Sequence, residues 1–369
     1  MRIDFKLQWP LVILLIPLLF SCSESDLISP EENEIYLFKK NSISKIELNK
    51  NESNEDFLSF NFNAKKAARN EKYLVVAGSS SYIVDEEIGI YDLENDEFST
   101  IDITTELNYS DEMEGFELND IMIFDNRLYV LGIKYNYNDE DLVELIEIDL
   151  NTQSITRNTE FSHENVAANK YFKLITEKNI YFNFINKLTP FDIEEFDKPD
   201  QFSIETSYYP GNIMIEKGMD LHYYDFQDQK QFTISSEDLS SSSEQSFFNI
   251  NFQILARERP LAVLGNTVLG FYLENAPSTV GIYQYDYENQ KILKTLQDEE
   301  LNNTIFGEGY FMIESKFIRV IANKVIYYGI IFNEEKSSHE YILSILNADF
   351  NRIQSYSFDN LSGDVIAIL

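Results

Sequence analysis

The sequence predicts an all-β protein assembled from repeated antiparallel units. Short segments rich in Val, Ile, Tyr and Phe recur along the chain, for example at residues 73–78 and 324–332, and clusters of Asn, Asp, Ser and Gly separate them. β-branched and aromatic residues favour extended strands, and the polar clusters favour turns. Only the segment 63–70 (NAKKAARN) has the composition of a helix.

A repeated turn motif indicates how the strands are grouped. At seven places an apolar strand ends on an acid or amide that a polar turn follows: Glu47, Asp92, Asp149, Asp192, Asp225, Asp286 and Asn347. Asp and Asn side chains stabilise such turns by accepting hydrogen bonds from the backbone two residues further on. The seven positions lie 33 to 61 residues apart. Repeats of roughly 40–50 residues made of short strands are typical of propeller blades.

The predicted fold is therefore a β-propeller with six or seven blades of short antiparallel strands, because blades bury their faces only against one another around an axis. Segments 34–40 (EIYLFKK) and 364–369 (DVIAIL) are predicted to share one blade and so close the ring. The serine-rich segment 235–246 is predicted to be a mobile loop between blades. A pair of β-sandwiches is the alternative architecture.

The first residues form a separate targeting segment. Residues 9–20 are an uninterrupted apolar run, which is shorter than the about 20 residues that a membrane-spanning helix needs. Ser21 supplies the small residue that precedes a signal cleavage site. The only cysteine of the chain, Cys22, follows directly. We therefore expect a signal peptide at 1–21, an acidic tether at 22–34 and a propeller domain at 35–369.

The residues around this cysteine resemble a known targeting signal. Leu19-Phe20-Ser21-Cys22 resembles the lipobox of bacterial lipoproteins, and Ser23-Glu24-Ser25-Asp26 is similar to the acidic signal that Bacteroidota use to export lipoproteins. The resemblance implies that Cys22 carries acyl chains such as palmitate and anchors the protein in the outer membrane, on the cell surface or, alternatively, on the periplasmic face. Two or more acyl chains give stable attachment.

In repeat length and in the composition of its short strands, the segment 34–369 is also similar to the propeller lipoproteins of Bacteroidota, several of which have six blades. This resemblance carries no information about a ligand. It implies only that an anchored propeller is a familiar arrangement in that group.

The charge of the chain limits its partners. The formal net charge is −34, and residues 1–21 carry +1, so the remainder carries −35. Such a charge repels phosphate backbones and anionic lipid, which argues against nucleic acid as a partner. The expected membrane contact is the lipid on Cys22. Since no other cysteine exists, no disulfide supports the domain, and its stability must come from the core.

No motif in the sequence predicts catalysis, a metal site or a cofactor. The three histidines, His163, His222 and His339, are far apart and lack the spacing of a zinc helix. The acid-rich segments 108–120 and 136–144 lack the spacing of a calcium loop and are predicted to be solvated loop tips.

One local inversion of charge offers a candidate ligand-binding pair. Arg257 and Arg259 flank Glu258 in a very acidic chain. Two guanidinium groups can hold a carboxylate. The alternative is a salt-bridged strand end.

The expected function is that of an envelope binding or scaffold protein that holds a protein or glycan partner at the axial mouth and performs no chemistry. The alternative is a propeller hydrolase, calcium-dependent or with an acid pair, that acts on a sugar or lactone. Three or more carboxylates converging on one point would favour the hydrolase.

Overall fold

The computed structural model describes most of the chain after residue 33. The described residues are 34–48, 52–79, 86–107, 109, 114–136, 141–162, 171–184, 187–197, 204–205, 213–217, 220–225, 230–235, 242–246, 253–254, 262–274, 279–286, 288–289, 291–297, 303, 310–321, 323–333, 335–358 and 365–369. None of the helices in these residues is long and apolar enough to cross a membrane. Cys22 and the rest of the targeting segment lie outside them.

The strands form seven antiparallel sheets, which are the blades of a seven-bladed β-propeller. In the order of their pairing, the first three blades are as follows. Blade one contains β29 (Val365–Ile368), β1 (Glu34–Lys39), β2 (Ser42–Glu47) and β3 (Glu52–Ser59). Blade two contains β4 (Asn63–Arg69), β5 (Tyr73–Ser79), β6 (Glu86–Asp92) and β7 (Glu97–Asp102), and the short helix α1 (Ile103–Glu106) follows it. Blade three contains β8 (Glu114–Phe124), β9 (Arg127–Asn136), β10 (Leu142–Asp149) and β11 (Ser154–Phe161).

The other four blades complete the ring. Blade four contains β12 (Tyr171–Ile175), β13 (Asn179–Phe184), β14 (Lys187–Asp192) and β15 (Ile204–Glu205). Blade five contains β16 (Ile213–Lys217), β17 (Asp220–Asp225), β18 (Lys230–Ser235) and β19 (Ser242–Ser246). Blade six contains β20 (Gln253–Ile254) and β21 (Ala262–Leu264), both paired with β22 (Thr267–Glu274), then β23 (Thr279–Asp286) and β24 (Lys291–Gln297). Blade seven contains β25 (Tyr310–Ile321), β26 (Lys324–Asn333), β27 (Ser338–Leu346) and β28 (Arg352–Phe358).

The first strand of each blade lies innermost, next to the axis. Contacts run from β29 to β4, β8, β12 and β16 in turn, and from β21 to β25 and back to β29. The predicted ring closure is confirmed, because the C-terminal strand β29 is the innermost strand of blade one and pairs with β1. The Tyr36 amide donates to the Leu369 carbonyl at 2.8 Å, and the Leu369 amide donates back at 3.1 Å.

The core is divided among the spaces between neighbouring blades. In β5, Val75 packs with side chains of blade three, while the next residue, Val76, packs with side chains of blade one. In β9, Val130 faces blade two and Leu131 faces blade four. Side chains alternate across a strand, so a blade buried on both faces needs continuous apolar runs, which explains the strand composition of the sequence.

The helix prediction for residues 63–70 is wrong, because residues 63–69 form the innermost strand β4. The strand pairs with β5 from Asn63 opposite Ser79 to Arg69 opposite Leu74. Ala64 lies directly opposite Gly78, where a Cβ atom would come within 2.6 Å of the Ala64 Cα. Tertiary packing overrides the helix propensity of alanine and lysine.

The turn motif is confirmed at the atomic level. The Asp92 carboxylate accepts hydrogen bonds from the amides of Glu94 and Asn95. Asp149, Asp192, Asp286 and Asn347 accept equivalent backbone bonds in their own turns. Glu47 and these residues all stand at or directly after the end of the third strand of a blade.

Asp225 is the exception, and it explains why blade number is hard to read from the sequence. It ends β17, which is the second strand of blade five, whereas the third strand, β18, ends at Ser235. The motif spacing is therefore 33 residues before Asp225 and 61 after it, although the blade itself is regular. The chain has seven blades, which is one of the two predicted numbers and differs from the six blades that the resemblance suggested.

The prediction of a mobile loop between blades at residues 235–246 is also wrong in part. Ser235 ends β18 and residues 242–246 form β19, the outermost strand of blade five. This segment therefore belongs to blade five, because β19 pairs with β18. The pairing uses backbone hydrogen bonds, which a serine-rich strand can form as well as an apolar one. Residues 236–241 lie outside the described residues.

Candidate functional site

The innermost strands of three consecutive blades carry a cluster of charged side chains at the axis. The Lys66 ammonium on β4 lies 3.7 Å from a carboxylate oxygen of Asp120 on β8. The other carboxylate oxygen of Asp120 accepts a 3.0 Å hydrogen bond from the Phe172 amide on β12. Lys173 follows on the same strand and interacts electrostatically with Asp120 and with Asp225. We call Lys66, Asp120 and Lys173 the axial cluster.

A β-bulge in each of the three strands creates this arrangement. The pairing register shifts between Ala64 and Lys66 in β4, between Leu118 and Asp120 in β8, and between Phe172 and Leu174 in β12. The extra residues are Lys65, Asn119 and Lys173, which are spaced 54 residues apart. A bulge leaves a residue out of the ladder and redirects its side chain. The repeat therefore places polar side chains of successive blades at nearly the same height along the axis.

Carboxylates of one blade bind backbone amides of the next at this level. Asp120 binds the Phe172 amide, and Glu86 of blade two accepts a weaker 3.4 Å bond from the Leu118 amide of blade three. Glu86 also binds the Lys65 ammonium at 2.5 Å. The inner edge of a sheet leaves unpaired amides, so these carboxylates satisfy donors that no further strand can reach. The contacts also join blades two, three and four near the axis.

Burial governs the protonation of the axial cluster. It raises the pKa of Asp120, against the opposing attraction of Lys66. Burial also lowers the pKa of Lys173 to about 8, although the carboxylates of Asp120 and Asp225 act in the opposite direction. On β25, the innermost strand of blade seven, burial lowers the pKa of the Arg319 guanidinium to about 10. Ionisable groups whose pKa values are shifted by burial and by a charged partner are frequent at functional sites.

A second feature is an open cleft of about 630 Å³ between blades three and four, on the face that carries the short turns. The buried Glu147 forms its floor and receives two bonds from the Arg157 guanidinium and one from the Thr156 hydroxyl. Arg157 also donates to the Ile193 carbonyl of blade four and lies 4.2 Å from the centre of the Phe196 ring. Because Arg157 binds Glu147 of its own blade and contacts Ile193 and Phe196 of blade four, this network joins the two blades.

Burial acts to raise the pKa of Glu147, but hydrogen bonds from Arg157 and Thr156 outweigh it and leave the pKa below its usual value. The cleft is also lined by Arg127, Asp149, Glu177 and Glu194. We assign the Arg157–Glu147 pair to the stability of the blade interface.

Several residues selected from the sequence lie outside the described part of the chain. These are Ser21 and Cys22, His163, and the pair Arg257 and Arg259, so the lipid-attachment and ligand-binding predictions for them remain predictions. His222 is described and its Nδ1 lies 2.9 Å from the Gln231 amide. The His339 ring packs edge-on against Phe332.

The prediction of solvated loop tips for the acid-rich segments is wrong where the structure describes them. Residues 114–120 belong to the innermost strand β8, and Glu144 is fully buried in β10. There Glu144 accepts hydrogen bonds from the Tyr109 hydroxyl and the Asn158 amide. Within the described residues, no three His, Cys, Asp or Glu side chains form a group that could hold a metal ion.

No sequence motif predicts the axial cluster. The composition around Lys66 favours a helix, and the acidic segment around Asp120 favours a loop. The available signal was the distance of 54 residues from Lys66 to Asp120, which places them at equivalent positions of adjacent blades.

The fold is shared with solved propellers, and the chain is thereby placed in that class. A hypothetical selenium-binding protein from Sulfolobus tokodaii is similar with a TM-score of 0.55 and 9% identity, over 91% of this chain and 95% of that protein. The β-propeller domain of Cps50 (Swd1) from Myceliophteria thermophila is similar with a TM-score of 0.51 and 10% identity, over 89% and 95% of the two chains. Such low identities show the fold alone. No family model and no curated protein matches the chain.

Proposed function

We propose that this protein is a lipid-anchored propeller of the bacterial cell envelope that binds a protein or glycan partner at its axis and performs no chemistry on it. The observation that carries the proposal is the axial cluster, in which residues on the innermost strands of blades two, three and four contact one another. Propellers assemble such sites because all blades contribute to the axis.

The composition of the cluster supports binding over hydrolysis. An acid-pair hydrolase needs two carboxylates on opposite sides of the scissile bond. The axial carboxylate Asp120 is instead engaged by Lys66 and by a backbone amide, and the third member, Lys173, is basic. Cations held in this way suit recognition of a ligand.

The anchor is supported by the sequence around Cys22. We propose that the residues resembling a lipobox direct acylation of Cys22 in the outer membrane of a Bacteroidota cell, with the propeller on the cell surface. Metabolic labelling with azido-palmitate should label the wild-type chain and leave Cys22→Ala unlabelled, while Ser25→Ala remains labelled. Labelling of Cys22→Ala would contradict the anchor. Digestion by protease added to intact cells would support the surface location, and protection would favour the periplasmic face.

The binding function is tested with the full chain in detergent. A panel of neutral and acidic oligosaccharides, short peptides and lactones is titrated, and each mixture is then assayed for products by chromatography. We expect saturable binding of at least one compound with no loss of that compound over hours. Turnover of a bound sugar or lactone would contradict the proposed binding function and support the hydrolase alternative.

A further inference from the structure

Among the residues that the structure describes, three large apolar side chains are exposed to solvent. Ile292 and Leu293 are 36% and 46% exposed on β24, the outermost strand of blade six, and Ile353 is 56% exposed on β28, the outermost strand of blade seven. Single exposed apolar residues are common on protein surfaces, whereas groups of them mark interaction sites. We call these three residues the apolar edge.

Two of these side chains stand at β-bulges. The pairing of β24 with β23 skips Leu293, and the pairing of β28 with β27 skips Ile353. A bulge leaves the extra residue out of the ladder and redirects its side chain. The equivalent bulge residue of blade three is Thr156, so the same position of the blade is polar there and apolar in blades six and seven.

A contact between the two blades connects the parts of the apolar edge. The Lys294 ammonium, next to Leu293 in the chain, donates a 3.0 Å hydrogen bond to the Asp349 carbonyl and lies 5.4 Å from the centre of the Phe350 ring. Asp349 and Phe350 belong to the turn that leads into β28 and to Ile353. The apolar side chains of both blades therefore belong to one region of the surface.

This region lies on the face that carries the short turns, and the predicted tether leaves from the same face. β24 and β28 begin directly after the turns that follow the third strands of their blades. β1 begins on this face too, because Glu34 pairs with Glu47 at the end of β2, the third strand of blade one. The segment that carries Cys22 therefore joins the propeller at this face, in the blade that follows blade seven around the ring.

The tether limits how far this face can move from the lipid. Glu34 follows Cys22 by 12 positions, which span at most about 40 Å when fully extended. A short linker makes a second contact intramolecular and so raises its effective concentration. A few apolar side chains can then hold the face at the bilayer, although they would bind weakly without the anchor.

We propose that the apolar edge contacts the lipid bilayer in which Cys22 is anchored, so that the face with the short turns is directed to the membrane. The inference rests on the proposed anchor and adds the orientation of the propeller on the membrane. Lys291 and Arg352 flank the apolar side chains in the sequence, and long cationic side chains are favoured at the boundary between lipid and water. The apolar side chains carry the contact. A partner then approaches the axis from the opposite face.

The test uses the full acylated chain, reconstituted from detergent into vesicles of phosphatidylcholine. Leu293→Cys and Ile353→Cys each carry a fluorescent probe, while the lipid blocks Cys22 itself. Control probes are attached to Asn126→Cys, in a short turn of blade three on the same face, and to Glu335→Cys, in a turn on the opposite face, and both native residues are exposed.

Nitroxide groups on the lipid acyl chains report which probes enter the bilayer. We expect them to quench the probes at positions 293 and 353 at least about twofold more than either control probe, because apolar side chains of a membrane-bound surface enter the acyl boundary. The control in blade three distinguishes the apolar edge from the rest of its face.

Matched variants separate the apolar edge from the probe. With the probe on Asn351→Cys, directly before β28, the combination of Leu293→Ser with Ile353→Ser should reduce quenching by at least about half. Thr295→Ser combined with Ser355→Thr changes exposed residues of the same two strands and should leave quenching unchanged. Circular dichroism checks that each variant retains its strands.

Equal quenching at all probe positions, or unchanged quenching in the variant with both serines, would overturn the lipid contact. A doubled mass in sedimentation that these serines abolish would assign the apolar edge to a second copy of the chain and would overturn the inference as well. Flotation with vesicles judges the anchor separately. If the wild type floats and Cys22→Ala does not, the anchor stands whatever the quenching shows. If neither floats, or both do, the anchor is contradicted and the inference that rests on it fails with it.

Discussion

The Lys66 ammonium lies 3.7 Å from the Asp120 carboxylate, and the two residues occupy equivalent positions of neighbouring blades. Lys66 is paired with Ala77 of β5, and Asp120 with Leu131 of β9. The same place in the blade thus carries opposite charges in blades two and three. Such a contact arises only because the ring brings the innermost strands together, and it orders the axis that we propose as the binding site.

Removal of a turn carboxylate should destabilise a blade. Asp92 accepts two backbone hydrogen bonds and one from the Asn95 side chain. Asp92→Ala should lower the free energy of unfolding by about 1–3 kcal/mol, because these donors lose their partner. Asp92→Asn keeps one acceptor oxygen and should lose less. Urea unfolding followed by fluorescence measures both, and equal losses would contradict the role of the hydrogen bonds.

The same turn should contribute to sensitivity to acid. Burial acts to raise the pKa of Asp92, but hydrogen bonds from Asn95 and Glu94 outweigh it and lower the pKa. A carboxyl with a lowered pKa in the folded state stabilises the protein above its unfolded pKa, and this contribution is lost as the pH falls through the folded pKa. The difference between wild type and Asp92→Ala should therefore shrink below about pH 4.

A methyl group added at Gly78 should destabilise the propeller strongly. A Cβ atom there would lie 2.0 Å from the Asn63 carbonyl oxygen and 2.6 Å from the Ala64 Cα. These are backbone atoms of the innermost strand, so Gly78→Ala should cost about 3 kcal/mol, at the upper end for overpacking. At Gly89 the nearest atoms belong to the Phe98 ring and the Val76 side chain. Gly89→Ala should cost about 1 kcal/mol, and thermal unfolding compares the two variants.

The closing strand should be essential for cooperative folding. Ile368 is fully buried between blades seven and one. Ile368→Ala should cost about 2–5 kcal/mol, because a cavity opens where the ring closes. Ile366→Ala, at a half-buried position of the same strand, should cost clearly less. Equal losses in urea unfolding would indicate that closure does not depend on this contact.

Two buried glutamates should respond to pH in opposite ways. Burial raises the pKa of Glu144, whose partners Tyr109 and Asn158 are neutral. For Glu340, burial acts in the same direction, but bonds from Ser357, Lys336 and Asn333 outweigh it and lower the pKa. The Lys336 ammonium lies 3.0 Å from Glu340, and this charge accounts for much of the contrast.

For a raised pKa, stability is greatest below the unfolded pKa and falls as the pH rises through the folded pKa. Glu144→Gln removes that fall, so its stability relative to wild type should increase between about pH 4 and pH 7. Glu340→Gln should instead lose about 1.5–3 kcal/mol at pH 7 and little below about pH 4. Urea midpoints at both pH values test the pair, and parallel responses would contradict the assignment.

The local features of the fold could be predicted from the sequence because they depend on neighbouring residues. The turn at Asp92 is formed within four residues, and the strands follow from runs of apolar side chains. The shared closing blade could be predicted because the first segment after the tether and the last segment of the sequence are both apolar strands. Asp225 shows the limit of this reasoning, since a turn motif does not reveal which strand of a blade it ends.

The sequence by itself determined that this is an all-β repeat protein with carboxylate-stabilised turns and a ring closed by its ends. These properties depend on hydrogen bonds and side-chain alternation over a few residues. Only the tertiary structure decided that there are seven blades, that residues 63–69 form a strand, and that Lys66, Asp120 and Lys173 belong to one cluster. The physical reason is distance along the chain. Contacts between residues 54 positions apart depend on how the blades pack and on where a bulge redirects a side chain, and neither is encoded in a local pattern.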